Sequence, residues 1–120
     1  MPYVDPKQQL VLEIYVANLD ISLQFFQSFG FKPHRRDGGF AVVEWEGCQL
    51  FLAEGPGASG AAANIRVMVP DVDRYWDLAA STGTRVVSPI DDRFYGLRDF
   101  TVAGPDGIDL RFASWLEQEN

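Results

Sequence analysis

Between residues 10 and 16 the chain reads Leu-Val-Leu-Glu-Ile-Tyr-Val. Leu12, Ile14 and Val16 fall on one side of an extended segment and Val11, Glu13 and Tyr15 on the other, the signature of a strand whose two faces meet different surroundings. Asn18 then offers a side-chain oxygen to open a helix, and Leu19, Leu23, Phe26 and Phe29 recur at helical spacing until Gly30 stops it. A weak strand is expected around residues 31–35, followed by the Asp37-Gly38-Gly39 turn. Two apolar runs at 40–45 and 48–53, joined by Glu46-Gly47, predict a β-hairpin. Residues 55–63 are small and aperiodic and are expected to form a flexible linker.

After the linker the same order of elements returns. A strand is predicted at 64–69, a helix capped by Asp71 through Ala80, a break at Gly83, a strand at 84–87 and a loop at 89–96. A strand at 98–103, a turn at 104–107 and a strand at 108–113 complete the pattern. Aligning Asn18 with Asp71 and Gly47 with Gly107 superposes strand on strand and helix on helix, so the chain reads as an internal repeat. The expectation is one domain over 1–120, with module one at 8–54, the linker at 55–63 and module two at 64–115.

Composition narrows the picture. The 120 residues carry 17 acidic against 10 basic groups, a formal charge of -7, with 47% apolar and 22% charged positions. This is an ordinary globular balance, and a chain of this length buries roughly 65% of its extended surface around one core. Cys48 is a single cysteine, and with one histidine beside it the chain cannot build a disulfide or a zinc knuckle. Only Arg35-Arg36 resembles a basic cluster, which argues against a nucleic-acid partner. The acidic balance would attract a cationic ligand, or serve solubility alone. No apolar run approaches the roughly 20 residues of a bilayer span, and residues 1–6 lack the basic and apolar regions of a secretion signal, so no membrane partner and a cytoplasmic location are expected.

Several stretches carry a family resemblance. Residues 16–26, Val-Ala-Asn-Leu-Asp-Ile-Ser-Leu-Gln-Phe-Phe, followed by Phe29-Gly30-Phe31, resemble the opening of the glyoxalase/bleomycin resistance/extradiol dioxygenase superfamily, the vicinal oxygen chelate fold. Val69-Pro70-Asp71-Val72-Asp73 is similar to that family's second helix start. Residues 95–100, Tyr-Gly-Leu-Arg-Asp-Phe, and 104–108, Gly-Pro-Asp-Gly-Ile, resemble its closing hairpin. The resemblance runs from about Leu10 to Ser114 and implies an α+β fold: two tandem βαβββ modules forming an incomplete barrel around a cavity, with helices on the convex face. Two positions depart from the family pattern, Gly104 where Asp is usual before Pro105, and Tyr95 where Trp is common.

Catalytic members of the family usually hold a divalent metal through residues in the first and last strands of each module. Carried over, those positions are Val11, Phe51, Asn64 and Arg111. Val and Phe have no lone pair to donate, a guanidinium is a permanent cation, and Asn64 offers one neutral oxygen. No metal, no other cofactor and no metal-dependent activity are therefore expected. The same positions imply a cavity face bearing Val11, Glu13, Tyr15, Gln49, Phe51, Ala53, Asn64, Arg66, Met68, Asp109, Arg111 and Ala113. Leu12, Ile14, Val16, Leu50, Leu52, Ile65, Val67, Val69, Leu110 and Phe112 then form an apolar face under the helices. Two arrangements of the polar face are open. Glu13 and Asp109 neutralise Arg66 and Arg111 as a structural plug, or the same groups with Tyr15, Phe51 and Met68 line a pocket for a small organic molecule.

Trp45 and Tyr95 are expected near the cavity mouth, where a flat ring could stack on a planar ligand. Trp76 is expected in the core and Trp115 over an edge or a dimer contact, His34 solvated in a turn, and Cys48 inert unless exposed. The resemblance is nearest to the metal-free bleomycin-resistance branch, whose members are typically acidic homodimers holding ligand in grooves at the subunit interface. It implies a homodimer that sequesters a planar or hydrophobic drug or metabolite, an antibiotic-resistance type of role with no catalytic residue. The candidate ligand-binding residues are Glu13, Tyr15, Trp45, Phe51, Asn64, Arg66, Met68, Tyr95, Asp109 and Arg111. The alternative is a glyoxalase-like lyase or isomerase with Glu13 or Asp109 as base and Arg66 or Arg111 steadying an oxyanion. A purely structural or regulatory dimerisation module is the third class.

Overall fold

In the computed structural model, which describes residues 2–57 and 59–117, a four-residue helix α1 (Pro6–Gln9) leads into β1 (Leu10–Val16). Ala58, inside the expected linker, and the extreme ends of the expected domain lie outside the described residues. Next comes α2 (Leu19–Ser28), opened as its sequence predicts: Asn18 Oδ1 accepts from the Ile21 N–H at 3.0 Å. Three antiparallel strands follow, β2 (Lys32–Asp37), β3 (Phe40–Trp45) and β4 (Cys48–Glu54). Glu46 and Gly47 connect β3 to β4 with φ of 50° and 86°, the doubly left-handed backbone of a two-residue hairpin loop, which glycine adopts without strain.

The second half repeats this order as β5 (Ala63–Met68), α3 (Val72–Thr82), β6 (Val86–Asp92), β7 (Leu97–Val102) and β8 (Ile108–Trp115). Three local expectations need correction. Asp71 stands at the cap position of α3 but makes no side-chain cap bond; the Val72 N–H donates instead to Ser114 Oγ of β8 at 2.9 Å. The expected loop at 89–96 is half strand, because β6 is an outer strand and tolerates Pro89 at a break in its register. The linker is not a loose tether in its described part: Ala61 is buried and Gly57 lies directly against the Tyr15 ring.

The eight strands form one sheet in the order β2-β3-β4-β1-β5-β8-β7-β6. β1 is parallel to β4, β5 is parallel to β8, and β1 and β5 join the two βαβββ halves antiparallel. β2 and β6 end the sheet without pairing to each other, so the barrel stays open. Its two longer helices, α2 and α3, lie on the convex side. α2 packs Leu19, Leu23 and Phe26 on Ala41, Val43 and Leu52, while α3 packs Val72, Trp76 and Ala79 on Phe100, Val102 and Phe112. The apolar convex face is thus covered over each half but not between them. Leu10 and Leu12, in the first half of β1, stay 62% and 39% exposed, whereas Ile14 and Val16 further along the same strand pack with the α2 cluster.

Candidate functional site

Strand register brings the polar side chains together. Phe51, Glu13, Asn64 and Asp109 form one row across β4, β1, β5 and β8. Val11, Arg66, Arg111, Thr101 and Ser88 form the next, out to β6. Because the side-chain period is two, both rows point to the same side, and it is the concave one: Glu13 of β1 and Ser88 of β6 line a single cavity although three strands separate them.

Asp99 of β7 is the hub of that cavity. It is 3% exposed and accepts four hydrogen bonds from side chains: Arg93 Nε at 2.8 Å, Tyr95 OH at 2.6 Å, and Arg111 Nε and Nη2 at 3.0 and 2.8 Å. Burial alone pushes its carboxyl up, but the Tyr95 hydrogen bond, the Arg111 charge and the two guanidinium donors outweigh it and hold the pKa below its ordinary value. Burial and the Asp99 contact push the Tyr95 phenol up to about 12, so it stays a donor at neutral pH. Arg93 and Tyr95 come from the turn between β6 and β7, and the Arg111 guanidinium sits 5.5 Å from the Tyr95 ring centre.

A second cluster lies across β1 and β5. Asn64 is 3% exposed, and its Nδ2 donates to Glu13 Oε2 and to Tyr15 OH, both at 2.7 Å. Burial raises the Tyr15 pKa. Asp109, 5% exposed, accepts from Ser59 Oγ of the linker at 2.6 Å. The linker therefore closes one end of the concave face through Gly57 and Ser59. At the other end Tyr3 and Val4 pack on Met68, Leu97 and Ala113.

The concave face holds an open cavity of about 340 Å³ lined by Glu13, Tyr15, Asn64, Ser88, Arg93, Tyr95, Asp99, Thr101 and Arg111. Five of the ten sequence candidates, Glu13, Tyr15, Asn64, Tyr95 and Arg111, thus meet around it. Asp109 sits beside them under Ser59. Arg66 and Phe51 stack on each other at 5.1 Å over the module-one half of the concave face, outside this lining, and Met68 is buried under the N-terminal segment. Trp45 is on the wrong side for a cavity mouth. It ends β3 on the convex face, 5.4 Å from the Phe31 ring and against Gly30, because the strand period that turns Val42 inward turns residues 43 and 45 outward.

The expected charge pairing is also corrected. Arg111 pairs with Asp99 rather than with Glu13 or Asp109, and Arg66 has no carboxylate within ion-pair distance among the described residues. Asp99, Arg93, Ser88 and Thr101 were missed because the face was traced only along the four strands with family ligand positions. Continuing the period-two argument along β7 would have found Asp99 and Thr101. Arg93 and Tyr95 depend on a turn conformation that no periodicity encodes.

The positions at which relatives hold a metal do not fit one here. Val11 is fully buried among Val42 and Phe51, Arg111 is ion-paired, and Asn64 Oδ1 is a single neutral donor. Among the described residues no group of three or more His, Cys, Asp or Glu side chains could hold a metal ion. No step is therefore assigned to a metal.

Residues 8–112 match the Glyoxalase/Bleomycin resistance protein/Dioxygenase superfamily. The chain belongs to that superfamily, and its open eight-stranded sheet of two βαβββ halves is consistent with that family's fold. It is similar to a glyoxalase/bleomycin resistance protein/dioxygenase superfamily member from Vibrio splendidus 12B01, at 23% identity and a TM-score of 0.73 over 88% of this chain and 97% of that one. A NAD-dependent benzaldehyde dehydrogenase structure from Legionella pneumophila aligns at 18% identity and a TM-score of 0.71 over 88% and 98%. Methylmalonyl-CoA epimerase from Mycobacterium tuberculosis aligns at 16% and 0.60 over 89% and 87%. At these identities the likeness shows the fold. No curated protein matches the chain.

Proposed function

We propose that this protein binds a small organic molecule in its concave cavity, without a metal and without transforming it, in the manner of a sequestering protein. One observation carries the reading: a cavity of about 340 Å³ whose polar groups are held in place by hydrogen bonds to one another. Polar groups fixed in this way orient a ligand at little entropic cost. The lyase or isomerase reading is less well supported, because its carboxylates are engaged, Glu13 by Asn64 and Asp109 by Ser59. Homodimerisation belongs to the same proposal, and static light scattering reading twice the 13.4 kDa chain mass is its expected outcome.

A thermal-shift screen of planar and hydrophobic antibiotics and metabolites, run beside Zn, Ni, Mn and Fe salts, tests the binding reading. A compound that raises Tm in proportion to the logarithm of its concentration, with no metal response, is expected. A metal response with no response to any organic compound overturns it.

A further inference from the structure

Among the described residues, the concave face holds a half-buried cation, Arg66, that no carboxylate pairs with. Arg66 and Arg111 stand directly opposite each other on parallel strands β5 and β8, and like charges so placed destabilise a sheet. Arg111 is compensated: its Nε and Nη2 bind Asp99 and Tyr95. Yet Asp99 also serves Arg93, so one carboxylate faces two guanidinium groups. Arg66 has no such partner. Its Nε is buried with no hydrogen bond. Burial first and the Arg111 charge second lower its pKa to about 10, so it is still charged at neutral pH. Its direct neighbour on β1 is Val11; Glu13 lies diagonally from it, and one oxygen of that carboxylate is taken by Asn64.

A half-buried charge with a buried, unsatisfied Nε costs stability, and such departures from local consistency concentrate at functional sites. The surroundings show what would relieve it. The Arg66 guanidinium lies 5.1 Å from the centre of the Phe51 ring, the partly exposed Phe40 meets Phe51 edge-on at 5.2 Å, and the buried Val11 and Val42 pack behind them. Arg35 closes the far side, 5.5 Å from the Phe40 ring centre. Two positions from Arg66 on the same strand face, Asn64 Oδ1 is also buried without a donor. Arg111 Nη1 makes no hydrogen bond among the described residues.

Given that the concave face is the ligand site, the geometry points to an organic anion with a flat apolar body as its occupant. The acid group accepts from Arg66 and Arg111, the body lies toward the Phe40–Phe51 wall, and a hydroxyl or N–H of the ligand reaches Asn64 Oδ1. The local charge thus opposes the net charge of -7, which by itself would favour a cation.

The test is calorimetric titration with three probes of one shape: 2-naphthoate, 2-naphthamide and 2-(aminomethyl)naphthalene. The carboxylate is expected to bind at least about tenfold tighter than the amide, a difference of about 1.4 kcal/mol, with the ammonium weakest. Arg66→Met is expected to bring the carboxylate down to the level of the amide, weakening the amide by much less. Without ligand, the same variant is expected to melt no lower than the parent, since an unpartnered charge has been removed. Equal binding of carboxylate and amide, or unchanged carboxylate binding by Arg66→Met, overturns the anion assignment and leaves the cavity reading standing. A Tm loss of several degrees in ligand-free Arg66→Met also overturns it, by showing that the guanidinium is structural. If no naphthyl probe binds and the broad screen yields a neutral or cationic ligand, the anion assignment alone falls. If that screen is also empty, both fall.

Discussion

Asp99 is a buried acid with three side chains donating to it, and each donor is left exposed to its own desolvation when the acid is neutralised. Asp99→Asn keeps the shape but strands Arg93 and Arg111, and about 3 kcal/mol of destabilisation is expected in urea unfolding. The sign of its pH dependence follows from the lowered pKa. Stability from a depressed carboxylate is fully present above the unfolded value, near 3.8, and is lost as pH falls through the folded value below it. The gap between parent and Asp99→Asn should therefore be constant near neutrality and narrow only below about pH 4. Gly104 is a second residue with a definite prediction. A Cβ there would collide with the Ile108 carbonyl oxygen, so the closing turn leaves no room for a side chain at this position. Gly104→Asp should lower Tm by forcing the backbone of the closing turn apart, and an unchanged Tm would refute that contact. The sequence reading named Arg111 but not its acid, because Asp99 is twelve residues away and becomes its partner only through β7–β8 pairing.

The two helices begin in different ways although their sequences look alike. Asn18 caps α2 directly, so Asn18→Ala is expected to cost about 1 kcal/mol. Asp71 caps nothing, so Asp71→Ala should change stability by less than about 0.5 kcal/mol. Ser114→Ala should cost about 1–3 kcal/mol, because Ser114 Oγ accepts from the Val72 N–H and donates to Val69 O in a buried site. Chemical denaturation of the three variants checks the ranking. Both helices were legible from apolar spacing and their terminal glycines, whereas the substitution of a remote serine for a local cap was not. α1 went unread because four residues hold no period, and β6 because Pro89, Asp91 and Asp92 look like a loop until the strand is seen to be an outer one.

For the whole molecule, the side chains at the family's metal positions predict that exhaustive chelation leaves Tm unchanged; a fall of several degrees, restored by one divalent metal, would refute this. No helix among the described residues is long and apolar enough to cross a membrane. The alternation of faces, the helix stops, the hairpin at Glu46-Gly47 and the repetition of the whole pattern were determined by the sequence itself, since each arises from residues a few positions apart. Together with the short motifs of the family they specify two βαβββ halves. Tertiary structure alone decided which charges meet, that the linker covers Tyr15 and Asp109, that Trp45 faces away from the cavity, and that Arg66 is left without a partner. The physical reason is range: a strand's period sets the side toward which a residue points, but its electrostatic partner comes from whichever strand or turn the curvature of the sheet brings across from it.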